Sequence, residues 1–197
     1  MHRLDPDTPL VLATYNAGKL RELRELLAPW IADLRSSGEL GLPEPDETAA
    51  TFRENAAIKA RAAAVRWPAL ADDSGLVVPA LDGAPGVESA RWAGSERDFR
   101  RAMKRVHEAL GDRPRSASMI TALAVAWPDG HVQTFEGRVE GELVWPPRGE
   151  LGFGYEPMFR PAGETRTYGE LGREEKHRDD PRARAFSALR AALLQRQ

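Results

Sequence analysis

Two adjacent carboxylates, a hydroxyl and a glycine stand together at Ala71-Asp72-Asp73-Ser74-Gly75-Leu76, with apolar residues on both sides. That pattern reads as the end of a strand carrying polar chemistry. Neighbouring side chains of an extended chain point to opposite faces, so Asp72 and Asp73 need a bend to enter one cleft, and Ser74-Gly75 is a place for it. The alternative is a surface turn, which the composition of this stretch taken alone favours. A second stretch with chemical potential is Thr14-Tyr15-Asn16-Ala17-Gly18-Lys19, a polar loop opening a helix. The free N–H groups and positive dipole end of a helix start suit an anion, and an ordinary strand-to-helix loop with an exposed lysine is the other reading. A third is Gly152-Phe153-Gly154-Tyr155-Glu156. Glycines around an aromatic ring let a nucleobase approach its face, whereas residue type alone favours core packing of Phe153.

The elements that position these residues follow from apolar spacing. Pro9-Leu10-Val11-Leu12-Ala13 is a short buried strand, and Leu20, Leu23, Leu26 and Leu27 mark a helix that Pro29 ends. An acidic loop through Glu44, Asp46 and Glu47 leads to a helix expected from Glu47-Thr48 to about Arg66, with Thr51, Asn55 and Lys59 on one face. A further helix follows Ser95, with Phe99, Met103, Val106 and Leu110 as its stripe. Its Arg100, Arg101, Lys104 and Arg105 resemble a nucleic-acid patch, but Glu96, Asp98 and Glu108 dilute it into a solvated face. Met119 to Trp127 and His131 to Val144 form a β-hairpin about Pro128-Asp129-Gly130, with bends at Gly137 and Gly141. For the charged run Glu174 to Asp180, solvent exposure is the bland alternative. The run precedes a last helix with Asp180 as N-cap and Pro181 in its first turn. Alternating strands and helices followed by antiparallel pairing predict an α/β fold with a mixed sheet.

The 197 residues suffice for one domain with two lobes. With no cysteine, disulfides, thiolate metal sites and a cysteine nucleophile are excluded. A net charge of −2 from 28 basic and 30 acidic residues gives no global attraction to nucleic acid or an anionic membrane. No run approaches the roughly 20 apolar residues of a membrane span, and the start of the chain lacks a signal-like segment. A cytoplasmic protein is the expectation. The four histidines lack metal-ligand spacing, and Walker and G-x-S-x-G motifs are missing.

Taken in order, Ala13–Lys19, Thr51-Phe52-Arg53-Glu54-Asn55-Ala56, Ala71–Leu76, Gly83–Val87, Ser89-Ala90-Arg91, Gly152–Tyr155 and Glu174-Glu175-Lys176 resemble the inosine/xanthosine triphosphate pyrophosphatase family, from about residue 9 to 190. The resemblance implies one domain over residues 1–197, an elongated mixed β-sheet flanked by helices, with two lobes around a central nucleotide cleft, and a homodimer. It implies Mg²⁺-dependent hydrolysis of non-canonical purine nucleotides (ITP, dITP and XTP) to the monophosphate and pyrophosphate. Glu47 and Asp73 correspond to the metal ligands, and Asp73 with Asp72 to the groups that activate water. Thr14, Tyr15, Asn16, Ala17, Gly18, Lys19, Lys59, Ser74, Phe153, Gly154, Tyr155, Glu156, Lys176 and Arg182 correspond to the substrate-binding set, with Phe153 stacking on the base. Two departures concern base reading: Glu156 replaces the family's Asp, and Asp180-Pro181-Arg182 replaces Ser-His-Arg. The same cleavage with shifted or relaxed base preference, and a nucleotide-binding protein that has lost catalysis, are therefore the rival readings.

Overall fold

The computed structural model describes residues 2–194. Its sheet has six strands in the order β2-β1-β3-β4-β5-β6: β1 Leu10–Leu12, β2 Leu34–Ser36, β3 Ala69–Val77, β4 Ser116–Ala126, β5 Val132–Leu143 and β6 Phe159–Pro161. β1 pairs in parallel with β2 (Val11 opposite Arg35) and with β3 (Leu12 opposite Leu70). β5 runs antiparallel to β6, with Leu143 opposite Phe159. The sheet is therefore mixed, as expected.

Helices α1 Ala17–Leu27, α2 Phe52–Ala63, α3 Phe99–Leu110, α4 Arg173–Lys176 and α5 Pro181–Leu193 accompany it. Among the described residues, no helix is long and apolar enough to cross a membrane. α2 starts later than the expected Glu47-Thr48. Thr51 is its cap, accepting from the Glu54 N–H and donating its hydroxyl to the Glu54 carboxylate. Both Thr48 and Thr51 could cap, but only Thr51 has Glu three residues on, the sequence signature of a capping box; here the Glu54 carboxylate accepts from the Thr51 hydroxyl. α5 begins as expected: Asp180 accepts from the Ala183 N–H at 2.7 Å.

The largest departure is β3. Asp72-Asp73-Ser74-Gly75 is neither a turn nor a strand end but the middle of a nine-residue strand. The strand carries polar side chains through a buried region because each has a partner on another element, as described below.

The chain divides into two compact units. The first comprises residues up to Asp73, Ala122–Glu136 and the stretch from Ala185 onward; the second comprises Ser74–Thr121 and Gly137–Arg184. Each has its own apolar cluster. Leu12, Leu23, Leu70, Leu123 and Leu189 are at the centre of the first. Leu76, Val106, Met158 and Phe159 are at the centre of the second. Fully burying one such side chain contributes roughly 1.5–3 kcal/mol.

Candidate active site

In the first unit, β3 and two helices bring together five charged groups. Lys19 stands in the first turn of α1, which Asn16 caps by accepting from the N–H groups of Gly18 (2.9 Å) and Lys19 (3.1 Å). Two of the amides that a helix start offers to an anion are thus already engaged. Thr14 supports this loop by accepting from the Asn16 N–H at 3.3 Å, and Tyr15 donates its hydroxyl to the Leu42 carbonyl at 2.6 Å. Ala17 and Gly18 form the start of α1. Lys19 Nζ lies 3.0 Å from Asp72 Oδ2, and Asp72 is buried.

Lys59, on α2, serves the other carboxylates. Its Nζ is 2.5 Å from Glu47 Oε1 and 3.8 Å from Asp73 Oδ1. Strand alternation thus sends Asp72 to the α1 lysine and Asp73 to the α2 lysine, without a bend in the strand. Burial pushes the Asp73 carboxyl up to about 6; Lys59 opposes this, while the negative charge of Glu47 adds to it. Burial works to lower Lys59, but the charges of Asp72, Asp73 and Glu47 outweigh it and hold the ammonium above its ordinary range. A carboxyl near 6 beside ammonium groups is suited to exchange a proton near neutral pH.

The donor chemistry fits a hard cation. Glu47 and Asp73 offer only carboxylate oxygens, and both already engage one positive charge, that of Lys59. Burial is the main reason the Asp73 carboxyl is raised, and the charge of Glu47 adds to it; a divalent ion beside both carboxylates would favour their charged forms. Among the described residues no three His, Cys, Asp or Glu form a ready cage. Two carboxylates are the complement that Mg²⁺ usually takes from a protein, the rest of its shell being water and phosphate.

In the second unit, Ser74 accepts a hydrogen bond from the Thr121 hydroxyl at 3.1 Å. Phe153 is 44% exposed, so its ring is available rather than packed in the core. Lys176 Nζ lies 6.0 Å from the centre of that ring. The same Nζ donates to both oxygens of Glu156, at 2.9 and 3.0 Å, and the Phe153 N–H donates to Glu156 Oε2 at 3.1 Å. Burial pushes Glu156 up against the pull of Lys176. Lys176 is itself buried within α4, and Asp180 is buried at the start of α5, so plain solvent exposure does not describe the run from Glu174 to Asp180; the Glu156 carboxylate supplies the charge that lets Lys176 be buried.

Tyr155 lies in the core beneath Phe99 and donates its hydroxyl to the Ser89 carbonyl at 2.8 Å. Gly154 takes a positive φ of 69°. Arg182 is buried in the first turn of α5, and Arg184 is held by Asp179 and the Arg138 carbonyl. One residue of this constellation escapes sequence reasoning. Thr121, the one hydroxyl in the apolar run from Met119 to Trp127, is a signal that could have been used. Gly152 (φ +77°) lies so close to Glu156 that a Cβ there would be 1.6 Å from Oε2, a contact that spacing alone does not reveal.

Comparison with known proteins agrees with this architecture. The model of the Ham1 family matches residues 10–192. The chain is 55% identical over 201 residues to a dITP/XTP pyrophosphatase of Bradyrhizobium diazoefficiens, covering 94% of this chain and 95% of that one. It is 52% identical over 198 residues to the dITP/XTP pyrophosphatase of Zymomonas mobilis, covering 98% and 94%. The structure of a HAM1 protein from Coxiella burnetii superposes with a TM-score of 0.84 at 38% identity, covering 94% and 98% of the two chains. That of the Staphylococcus aureus Ham1 protein does so with 0.85 at 32%, covering 93% and 97%. With nearly its whole length matched, this chain belongs to the Ham1 family.

Proposed function

We propose that this protein is a nucleoside triphosphate diphosphatase that hydrolyses ITP, dITP and XTP to the monophosphate and pyrophosphate, removing non-canonical purines from the nucleotide pool. The observation that carries this reading is the Lys19–Asp72 and Glu47–Lys59–Asp73 cluster, in which Lys59, Asp72 and Asp73 are buried and Asp73 is near 6. The names of the relatives support the same substrate class. Asp73 accepts the proton of the attacking water, and Asp72, fixed by Lys19, keeps a negative charge beside it. Lys19 and Lys59 stabilise charge on the polyphosphate and on the leaving pyrophosphate. Thr14, Asn16, Ser74 and Lys176 contribute polar groups for phosphate and sugar. Phe153 offers its exposed ring to the base, with Gly154, Tyr155, Glu156 and Arg182 shaping that loop. When bound, Mg²⁺ held by Glu47 and Asp73 supplies positive charge to the phosphate oxygens. Purified protein with ITP and Mg²⁺ should release pyrophosphate; orthophosphate as the first product would refute the assignment.

A second reading concerns base choice and rests on how the departing residues are engaged. Glu156 is turned onto Lys176 and the Phe153 N–H, and Asp180 caps α5. Neither side chain is thereby a dedicated reader of a purine edge, which gives the same cleavage a relaxed preference. A panel of ITP, XTP, dUTP, GTP and ATP decides it, since strong ITP and XTP selectivity would sink the relaxed reading.

We further read residues 1–197 as one functional domain acting on the cytoplasmic nucleotide pool as a homodimer, with no nucleic-acid or membrane partner. Size exclusion with light scattering tests the dimer, and a monomer at working concentration would overturn it.

A further inference from the structure

A second concentration of charge lies in the second unit and shares no residue with the groups above. The 3-10 turn Arg91–Ala93 and helix α3 flank an open cavity of about 490 Å³ lined by Arg91, Trp92, Gly94, Arg101, Lys104, Arg105 and Glu108. Residues 101, 104, 105 and 108 recur at the three- and four-residue spacing that places them on one face of a helix. The acids that dilute this basic run in the sequence stand mostly elsewhere. Asp98 spends its carboxylate capping α3, accepting from the Arg101 N–H at 3.1 Å, and Glu96 does not line the cavity. Four cations therefore face one lining carboxylate. Glu108 is 3.5 Å from Lys104, and Arg91 is 2.8 Å from Glu88; all four of these side chains are more than half exposed, so the pairs hold their partners only weakly.

One of the cations is pre-positioned. The Arg105 guanidinium stacks 4.1 Å from the centre of the Trp92 ring. Stacking fixes the plane of the group and leaves its edge N–H groups for an anion, the arrangement in which arginine recognises phosphate bidentately. Gly94, with φ +73°, turns the loop at the rim and adds no side chain to the cavity.

We propose that this cavity is a second anion site that binds a small oligophosphate, supplied either as inorganic pyrophosphate or as the phosphate chain of a nucleoside triphosphate. Several phosphate charges on one small ligand match the clustered cations, and the volume admits such a ligand with its water. The attraction is screened within about 8–10 Å at ordinary ionic strength, so binding weakens as salt rises.

The test is calorimetric titration of the full-length protein with inorganic tripolyphosphate in EDTA. It is repeated on the Arg101→Glu/Lys104→Glu and Arg101→Gln/Lys104→Gln double variants, with circular dichroism to confirm that each is folded. The expected result is saturable binding by the wild type, weakened at least about tenfold by charge reversal, less by neutralisation, and by raised salt. Parallel titrations with pyrophosphate and with ITP separate the sources. Similar affinities assign the inorganic ion, and markedly tighter ITP binding that is lost in the same variants assigns the nucleotide. Unchanged binding in both variants, or no binding by the wild type, overturns the proposal. Because the readout is metal-free binding rather than pyrophosphate release, its failure is separable from failure of the enzymatic reading.

Discussion

A carboxyl raised to about 6 ties the chemistry of Asp73 to the stability of the fold. In the unfolded chain this group titrates near 3.8, so between about pH 4 and 6 the native state holds a proton that the unfolded state has released. Metal-free stability therefore falls as the pH rises through that window, by roughly 3 kcal/mol from this group. Asp73→Asn removes this group's share of the slope, so thermal melts in EDTA across pH 4–7 should fall more steeply with pH in the wild type than in the variant. Identical slopes in the two proteins would mean that another group titrates. The same substitution should lower kcat for ITP at least about 100-fold, because the amide cannot accept the water proton. A gain in stability at neutral pH together with a loss of activity is the pattern of a site built at the expense of the fold. Gly152 makes a different demand. A methyl there meets the Glu156 carboxylate and occupies a φ of +77°, so Gly152→Ala should cost about 1–3 kcal/mol in denaturant melts and raise KM more than it lowers kcat. An unchanged melting curve would show that Glu156 moves aside freely.

Elements decide how far such residues can be read in advance. Lys59 is carried by α2, whose start is set by the Thr51 cap and its bonds with Glu54; Thr51→Ala should cost about 1 kcal/mol of global stability by chemical denaturation. Gly141, expected from sequence to mark a bend in β5, owes its identity to a close approach. A Cβ would lie 2.3 Å from the Arg160 carbonyl and 2.6 Å from the Phe159 ring across the β5–β6 pair. The long elements, α1, α3, β4 and β5, were legible because apolar spacing persists over enough residues to reveal its period. β2 and β6, three residues each, are too short to show one, and Pro161 is tolerated because β6 is at the edge of the sheet. The turn favoured by composition at Asp72-Asp73-Ser74-Gly75 failed for a tertiary reason. Lys19, Lys59 and Thr121, distant in sequence, supply the partners that make a polar strand segment tenable. The burial of Lys176 was hidden in the same way, since nothing local to Glu174–Asp180 announces that Glu156 will neutralise it. The candidate site was therefore legible as a set of motifs, whereas the pairings among its charges were not.

For the whole molecule, the two apolar clusters set a stability that ligand binding adds to by mass action. Any ligand that binds the native state and not the unfolded chain stabilises by an amount fixed by its concentration relative to Kd, about 2.7 kcal/mol at 100-fold excess. For a chain of 197 residues, 1 kcal/mol corresponds to roughly 2–4 °C in Tm. A non-hydrolysable α,β-methylene analogue of ITP at that excess, with Mg²⁺, should therefore raise Tm by about 5–10 °C. The corresponding ATP analogue at equal concentration reads base choice in the same currency. A smaller shift follows if Phe153 and its loop discriminate, and an equal one if Glu156 and Asp180 are wholly taken up by Lys176 and the α5 cap. Binding to the basic cavity of α3 adds its own increment, which persists in EDTA and disappears in the Arg101→Glu/Lys104→Glu variant. The increment owed to the carboxylate cluster requires the metal instead and is lost in Asp73→Asn. A Tm that stays fixed at millimolar analogue with Mg²⁺ present would count against nucleotide binding altogether.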